Sequence, residues 1–139
     1  MNKVFVDTNL FLRYLTNDIP EKASLLETLL KQAESGQLKL IINSLVIAEI
    51  VWTLQSFYKF PKKKIDETVS SIVASHLFAI PERDILLQSL EDFNILNIDF
   101  IDAYIGNWMK NQGIHQIYTL NQKDFRRIPG INTCPLKYK

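Results

Sequence analysis

Cysteine is nearly absent from this chain: Cys134 stands alone among 139 residues. A lone cysteine closes no internal disulfide, so a reducing compartment and a cytoplasmic location are expected. Glycine is scarce as well, with four scattered residues, and no glycine-rich phosphate loop can be built from them. The two histidines, His76 and His115, have no ligand spacing between them. That disfavours zinc and leaves Ser/His/Asp and Cys/His catalysis poorly supported. An excess of one charge is missing too: 16 Lys and Arg meet 15 Asp and Glu, for a net charge of +1. A globally basic nucleic-acid coat protein and an acidic tail are excluded, and any polyanion would have to be met by a local patch. Long apolar runs are lacking. The most apolar stretch, Leu40 to Leu54, carries Asn43, Ser44 and Glu49 and is too short to span a bilayer. Asp7 would interrupt any signal-peptide core, so neither secretion nor membrane association is expected.

What is present is ordinary globular material, 47% hydrophobic and 22% charged, enough for one domain over residues 1–139. Lys3 to Val6 reads as a buried strand, followed at Asp7-Thr8-Asn9 by a helix through Leu15. Asn17 to Pro20 breaks that helix and starts another, with Leu25, Leu26, Leu29, Leu30 and Ala33 as its apolar side. Leu38 to Ile42 reads as a strand, and Ser44 as the cap of an apolar helix reaching about Tyr58. Ile65, Val69, Ile72 and Val73 mark a helix opened by Lys62-Lys63-Lys64. A short strand at 77–80, helices at 82–96 and 99–111, a left-handed cap at Gly113, a strand at 115–120, a helical turn at 124–126 and a strand at 131–134 complete the chain. Helices alternating with short buried strands predict an α/β fold with a parallel sheet covered on both faces.

Sites in such sheets form beyond the carboxyl ends of the strands, where Asp7 falls. An Asp before Thr-Asn is equally an ordinary helix cap. Glu49 lies among Leu45 to Ile47, Ala48 and Ile50 to Trp52, so its helix is expected to be buried all round. A carboxylate there is costly unless paired or bound to a cation, and no basic residue stands within a helical turn. Asp99 and Asp102, three apart, project from one helix face. Asp99 alone could complement the helix dipole, but Asp102 sits between Phe100-Ile101 and Ala103-Tyr104. Carboxylates without basic partners suit a hard cation with oxygen ligands.

The ordered set of a strand ending in Asp7-Thr8-Asn9, a helix with Ala48-Glu49, then Asp99-Phe-Ile-Asp102-Ala103 and Thr119-Leu-Asn121-Gln-Lys-Asp124-Phe125 resembles the PIN-domain nucleases. Within them it is most similar to the small VapC-type toxins. The resemblance implies a three-layer α/β/α fold and Mg²⁺- or Mn²⁺-dependent cleavage of RNA that leaves a 5′-phosphate and a 3′-hydroxyl. It maps the family's acidic positions onto Asp7, Glu49 and Asp102. The fourth acid of the family pattern is Asn121 here, a departure. Asn121 could offer its carbonyl oxygen or a bridging water, or Asp99 or Asp124 could supply the charge. Metal ligands and catalytic residues are therefore expected among Asp7, Glu49, Asp99 and Asp102, supported by Thr8, Asn9, Thr119, Asn121 and Asp124.

The resemblance also implies an RNA substrate, an antitoxin partner and a homodimer. The apolar supply of the helices from Asn9 to Leu15 and from Lys62 to Ser75 argues for the dimer too. Arg13, Lys123, Arg126 and Arg127 are candidate RNA contacts, with Lys59, Lys62, Lys63 and Lys64 as either a phosphate-binding run or a solvated helix start. Tyr14, Trp52, Tyr104 and Trp108 read as core or dimer contacts. Two alternatives stay open: a housekeeping PIN nuclease, and a PIN-like binding module whose site has decayed at Asn121. A haloacid-dehalogenase-type phosphatase is set aside, because it wants a second Asp where this chain has Asn9.

Overall fold

The computed structural model describes residues 2–136, which divide into two compact units on either side of the Arg83–Asp84 bond. The first unit alternates strands and helices as expected. Strand β1 (Asn2–Phe5) leads to helices α1 (Thr8–Thr16) and α2 (Pro20–Glu34). Strand β2 (Leu38–Ile41) leads to α3 (Ser44–Ser56) and α4 (Lys62–Ala74), and β3 (Phe78–Ala79) ends the unit. All pairings are parallel, with β2 central: Asn2 stands opposite Leu38, Phe5 opposite Ile41, and Leu40 opposite Phe78. Val6 and Ile42 extend the ladders by donating to the carbonyls of Ile41 and Ala79.

Local signals place the helix ends. Asn17 takes a left-handed conformation at φ 51° and returns its N–H to Arg13, closing α1. Pro20 then opens α2, where its missing N–H costs nothing. The cap of α3 is Asn43, whose Oδ1 accepts from the Val46 N–H at 3.2 Å. Ser44, expected in that role, instead donates to Glu82 Oε1 at 2.6 Å.

Val6, Phe11, Leu40, Ile47, Ile50, Leu54, Ile65, Val69 and Val73 are fully or almost fully buried. Each contributes roughly 1.5–3 kcal/mol relative to exposure. Phe11 and Phe78 stack at 5.4 Å between ring centroids. Strand β1 itself is not buried as expected: Phe5 is exposed, and only Val6 beyond its end is enclosed. Of the apolar residues of α1 and α4, Phe11, Leu12, Ile65, Val69 and Val73 are buried in this core, while Leu10, Leu15 and Ile72 are half-buried and Tyr14 is exposed.

The second unit holds α5 (Arg83–Ile95), which starts at the boundary, then α6 (Phe100–Asn111), β4 (Gln116–Ile117), α7 (Gln122–Arg126) and β5 (Asn132–Thr133). Strands β4 and β5 pair in parallel, Gln116 opposite Asn132. Strand β4 is shorter than expected, and Leu120, placed in it from the sequence, is exposed. Gly113 adopts the left-handed conformation expected of it after α6. The core joins Ile98, Ala103, Met109, Phe125, Ile128 and Ile131. Gly106 lets α6 pack close there: a Cβ at this position would lie 2.7 Å from Ile128 Cδ1, so the Ile128 side chain would have to shift. Asn107, buried on α6, donates to Asp92 Oδ2 at 2.8 Å and to the Ala103 carbonyl at 2.9 Å. Gln88 satisfies the other Asp92 oxygen at 2.9 Å, so this buried carboxylate is held by neutral donors.

Candidate active site

In the first unit every strand delivers polar side chains at its carboxyl end. Asp7 follows β1, Asn43 and Ser44 follow β2, and Glu82 follows β3. Asp7 caps α1, its Oδ1 accepting from the Thr8 N–H at 2.8 Å. Its carboxylate is exposed, so a second oxygen faces outward. Thr8 is buried, and its Oγ1 has no hydrogen-bond partner among the described residues. A buried hydroxyl without a partner is uncommon and calls for a polar group to satisfy it, here beside an exposed carboxylate. Asn9 is exposed on the next position.

Glu49 overturns the burial expected of it. Helix α3 buries Val46, Ile47, Ile50, Val51 and Leu54 and leaves Leu45, Glu49 and Trp52 exposed. Residues four and three apart share one helix face, so these three form a single outward stripe, with Leu45 74% and Trp52 67% exposed. The desolvation argument for Glu49 therefore fails, because an apolar helix in this chain is not a fully enclosed one. What remains is its position, in the second turn of a helix that starts at the carboxyl end of β2. Trp52 is likewise not core, and Tyr14 and Trp108 are part-exposed at 37% and 38%.

The second unit gathers most of its candidates at the start of α6 and the turn before α7. Asp99 caps α6 through its backbone alone, without a side-chain bond. Thr119 Oγ1 accepts from the Asn121 N–H at 3.0 Å and fixes the turn. Asn121 Nδ2 donates to Asp102 Oδ2 at 2.8 Å and to Asp124 Oδ2 at 3.1 Å. Its Oδ1 accepts from the Asp124 N–H at 3.4 Å. Two carboxylates on the nitrogen and an N–H on the oxygen fix which way this amide faces. The carbonyl oxygen is thus turned to the helix cap and is not offered to Asp102. Burial pushes the Asp102 carboxyl above its ordinary value of 3.8. The Asp99 charge adds to the rise, the Asn121 hydrogen bond opposes it, and the Asp124 charge contributes in the same direction as Asp99.

The basic candidates are mostly engaged. Arg13 pairs with Asp18 at 2.7 Å, and Asp18 also accepts from Tyr58 at 3.0 Å. Desolvation works to raise the Asp18 pKa, but the Tyr58 and Thr16 hydrogen bonds and the Arg13 charge outweigh it and hold it low. Arg127 donates to the Leu96 carbonyl at 3.0 Å, just past the end of α5. Arg126 reaches Gln122 at 2.8 Å and Thr133 at 3.3 Å. Lys123 is exposed. Sequence reading missed the Ser44–Glu82 bond and the Asp92–Asn107 pair. A buried Asp held by amides leaves no motif, and in the sequence Pro81-Glu82 marks only a helix start.

No metal site is complete within either unit: among the described residues of each, no three His, Cys, Asp or Glu side chains form a ligand group. The donor chemistry nevertheless fits a hard divalent cation. The exposed Asp7 beside an unpaired buried hydroxyl offers oxygen ligands, and so does Asp102, whose repulsion with two other carboxylates a cation would relieve.

These features, in this order along the chain, are those of one family. The PIN domain matches residues 4–131, and the chain belongs to the PIN-domain family, an α/β fold with helices and a small parallel sheet. It is also similar to a VapC ribonuclease of Aquifex aeolicus (strain VF5), with 23% identity over 123 residues, covering 88% of this chain and 90% of that protein. No solved structure matches significantly.

Proposed function

We propose that this protein is a Mg²⁺- or Mn²⁺-dependent endoribonuclease, the toxin of a toxin–antitoxin pair, working as one PIN domain over residues 1–139. The observation that carries the proposal is the crowded carboxylate Asp102, raised by burial and by Asp99, in a chain of the PIN family with a VapC ribonuclease as relative. Asp7, Glu49, Asp99 and Asp102 are the residues that would hold the metal. A bound divalent ion supplies positive charge for the anionic phosphodiester and for the leaving oxygen. Thr119 holds the turn that aims Asn121, and Asn121 aims Asp102 and Asp124. Thr8 Oγ1 is left available beside Asp7. Asn9 stands exposed next to both. No side chain has to act as the nucleophile. Lys123, Arg126, Arg127 and Arg13 are assigned to the RNA backbone, Arg126 and Arg127 having to exchange their present partners and Arg13 keeping its pair with Asp18. A cytoplasmic location, an antitoxin partner and a homodimer belong to the same reading. The exposed Leu45 and Trp52 on α3 supply apolar surface for a partner.

Cleavage of a labelled RNA pool with Mn²⁺, against Asp7→Asn and Asp102→Asn, is the test. Loss of cleavage in both variants is expected; unchanged cleavage in either sinks the assignment. One observation favours a second reading, a PIN-like binding module: the Asn121 amide already occupies one oxygen each of Asp102 and Asp124 by hydrogen bonding. RNA binding without metal-dependent cleavage would establish that reading instead.

A further inference from the structure

Residues 57–64 read Phe-Tyr-Lys-Phe-Pro-Lys-Lys-Lys, aromatics interleaved with lysines. This is the composition of surfaces that bind single-stranded nucleic acid through stacking and phosphate contacts. Phe57, at the end of α3, is 72% exposed. Lys64 lies over the Phe60 ring at 4.0 Å from its centroid, so one lysine is held in place by an aromatic face. Lys59, Lys63 and Lys64 are exposed, and among the described residues none of them has a carboxylate partner.

The placement works against helix stability. Lysines occupy the whole first turn of α4, no acidic residue shares that turn, and the Pro61 cap makes no side-chain bond. Cations at a helix N-terminus oppose its dipole, and a sequence selected only for stability would place Asp or Glu there. Here side chains and dipole add to one positive field. The counter-charges on this helix, Asp66 and Glu67, lie beyond the first turn.

The patch is continuous with the candidate site of the same unit. A groove of about 320 Å³ is lined by Asn9, Leu12 and Arg13 of α1 and by Thr53, Phe57 and Tyr58. Asn9 is two residues from Asp7, and Phe57 adjoins the lysines. Asp18 also lines the groove, but Arg13 neutralises it. From Glu49 to Phe57 the helix path rises about 12 Å, a span of a few nucleotides rather than of a folded RNA.

We propose that Phe57 and Lys59, Lys63 and Lys64 form a second contact surface for single-stranded RNA, reached from Asp7 along this groove, with a base on Phe57 and phosphates on the lysines. This rests on the RNA-cleaving reading, and binding measured without metal separates the two. The probe is a fluorescein-labelled oligouridine titrated with the full chain in chelator across rising NaCl, read by anisotropy. The triple variant Lys59→Gln/Lys63→Gln/Lys64→Gln should lower the log–log salt slope by about 2, since each single-strand phosphate contact contributes about 0.7. Phe57→Ala should weaken binding roughly fivefold to a hundredfold with the slope unchanged. Unchanged slope and affinity in the triple variant, with Mn²⁺-dependent cleavage intact, would overturn the surface and leave the ribonuclease reading standing. Lysine-dependent binding without any cleavage would uphold the surface and remove the ribonuclease. Polyglutamate bound as tightly as oligouridine, with Phe57→Ala without effect, would overturn it in favour of an acidic protein partner. All these side chains are exposed, so thermal unfolding should show every variant folded.

Discussion

Replacing Asn121 by Asp restores the acid that the family pattern places there, and it should destabilise the metal-free protein. Asn121 Nδ2 donates to Asp102 and Asp124 at 2.8 and 3.1 Å. An aspartate loses both bonds, each contributing about 0.5–1.5 kcal/mol. It adds two repulsions of about 1 kcal/mol each at water-like screening, which the exposure of the site makes appropriate. The cap on the Asp124 N–H survives, because a carboxylate accepts as well as an amide does. The net cost should be about 3–5 kcal/mol, or about 1 kcal/mol if the new carboxylate swings into solvent. Its pH dependence has a definite sign. The Asp102 carboxyl is already raised above 3.8 in the folded state, so the stability it contributes is fully present below 3.8 and lost as pH rises through the raised value. A further carboxylate raises it more, so the gap between Asn121→Asp and wild type should be widest near neutral pH and narrow on acidification. Urea unfolding in chelator at neutral and mildly acidic pH measures this, and Mn²⁺ should then stabilise the variant more than wild type. A variant as stable as wild type in chelator at neutral pH would refute the reasoning, since the amide would then not be bridging two charged groups.

Asn107→Ala should cost about 2–4 kcal/mol in chemical denaturation, because it strips a donor from the buried Asp92 carboxylate; a loss under about 1 kcal/mol would show that the carboxylate finds another partner. Gly106→Ala should fail to give the gain of roughly 0.5–1 kcal/mol usual in a helix interior, because its methyl meets Ile128; a higher melting temperature would mean that Ile128 yields freely. Leu45→Ala should leave the stability of the isolated chain within about 0.5 kcal/mol, given its 74% exposure. Light scattering on the same variant tests the dimer, since a mass change without a stability change would place Leu45 in the contact.

Much was legible from order and spacing alone. Alternating apolar segments specified the α/β class, because each period has one way of hiding its apolar side. Asn17 and Pro20 ended and restarted helices through backbone chemistry internal to a few residues. The ordered acids Asp7, Glu49 and Asp102 pointed to the PIN family for the same reason, since their separations follow from the elements between them. Exposure was not legible. Leu45 and Trp52 look like core in the sequence, and only packing decided that α3 turns the stripe containing Glu49 outward. Strand β1 was expected to be buried and is enclosed only at Val6. The direction in which Asn121 faces was equally hidden, because an amide presents either end until its neighbours are in place. Asp102 and Asp124, 22 residues apart and brought to that amide by the α6–α7 fold, decided it by both requiring a donor. Short-range chemistry is written into the chain, whereas desolvation and hydrogen-bond partnership depend on groups that only tertiary structure brings near.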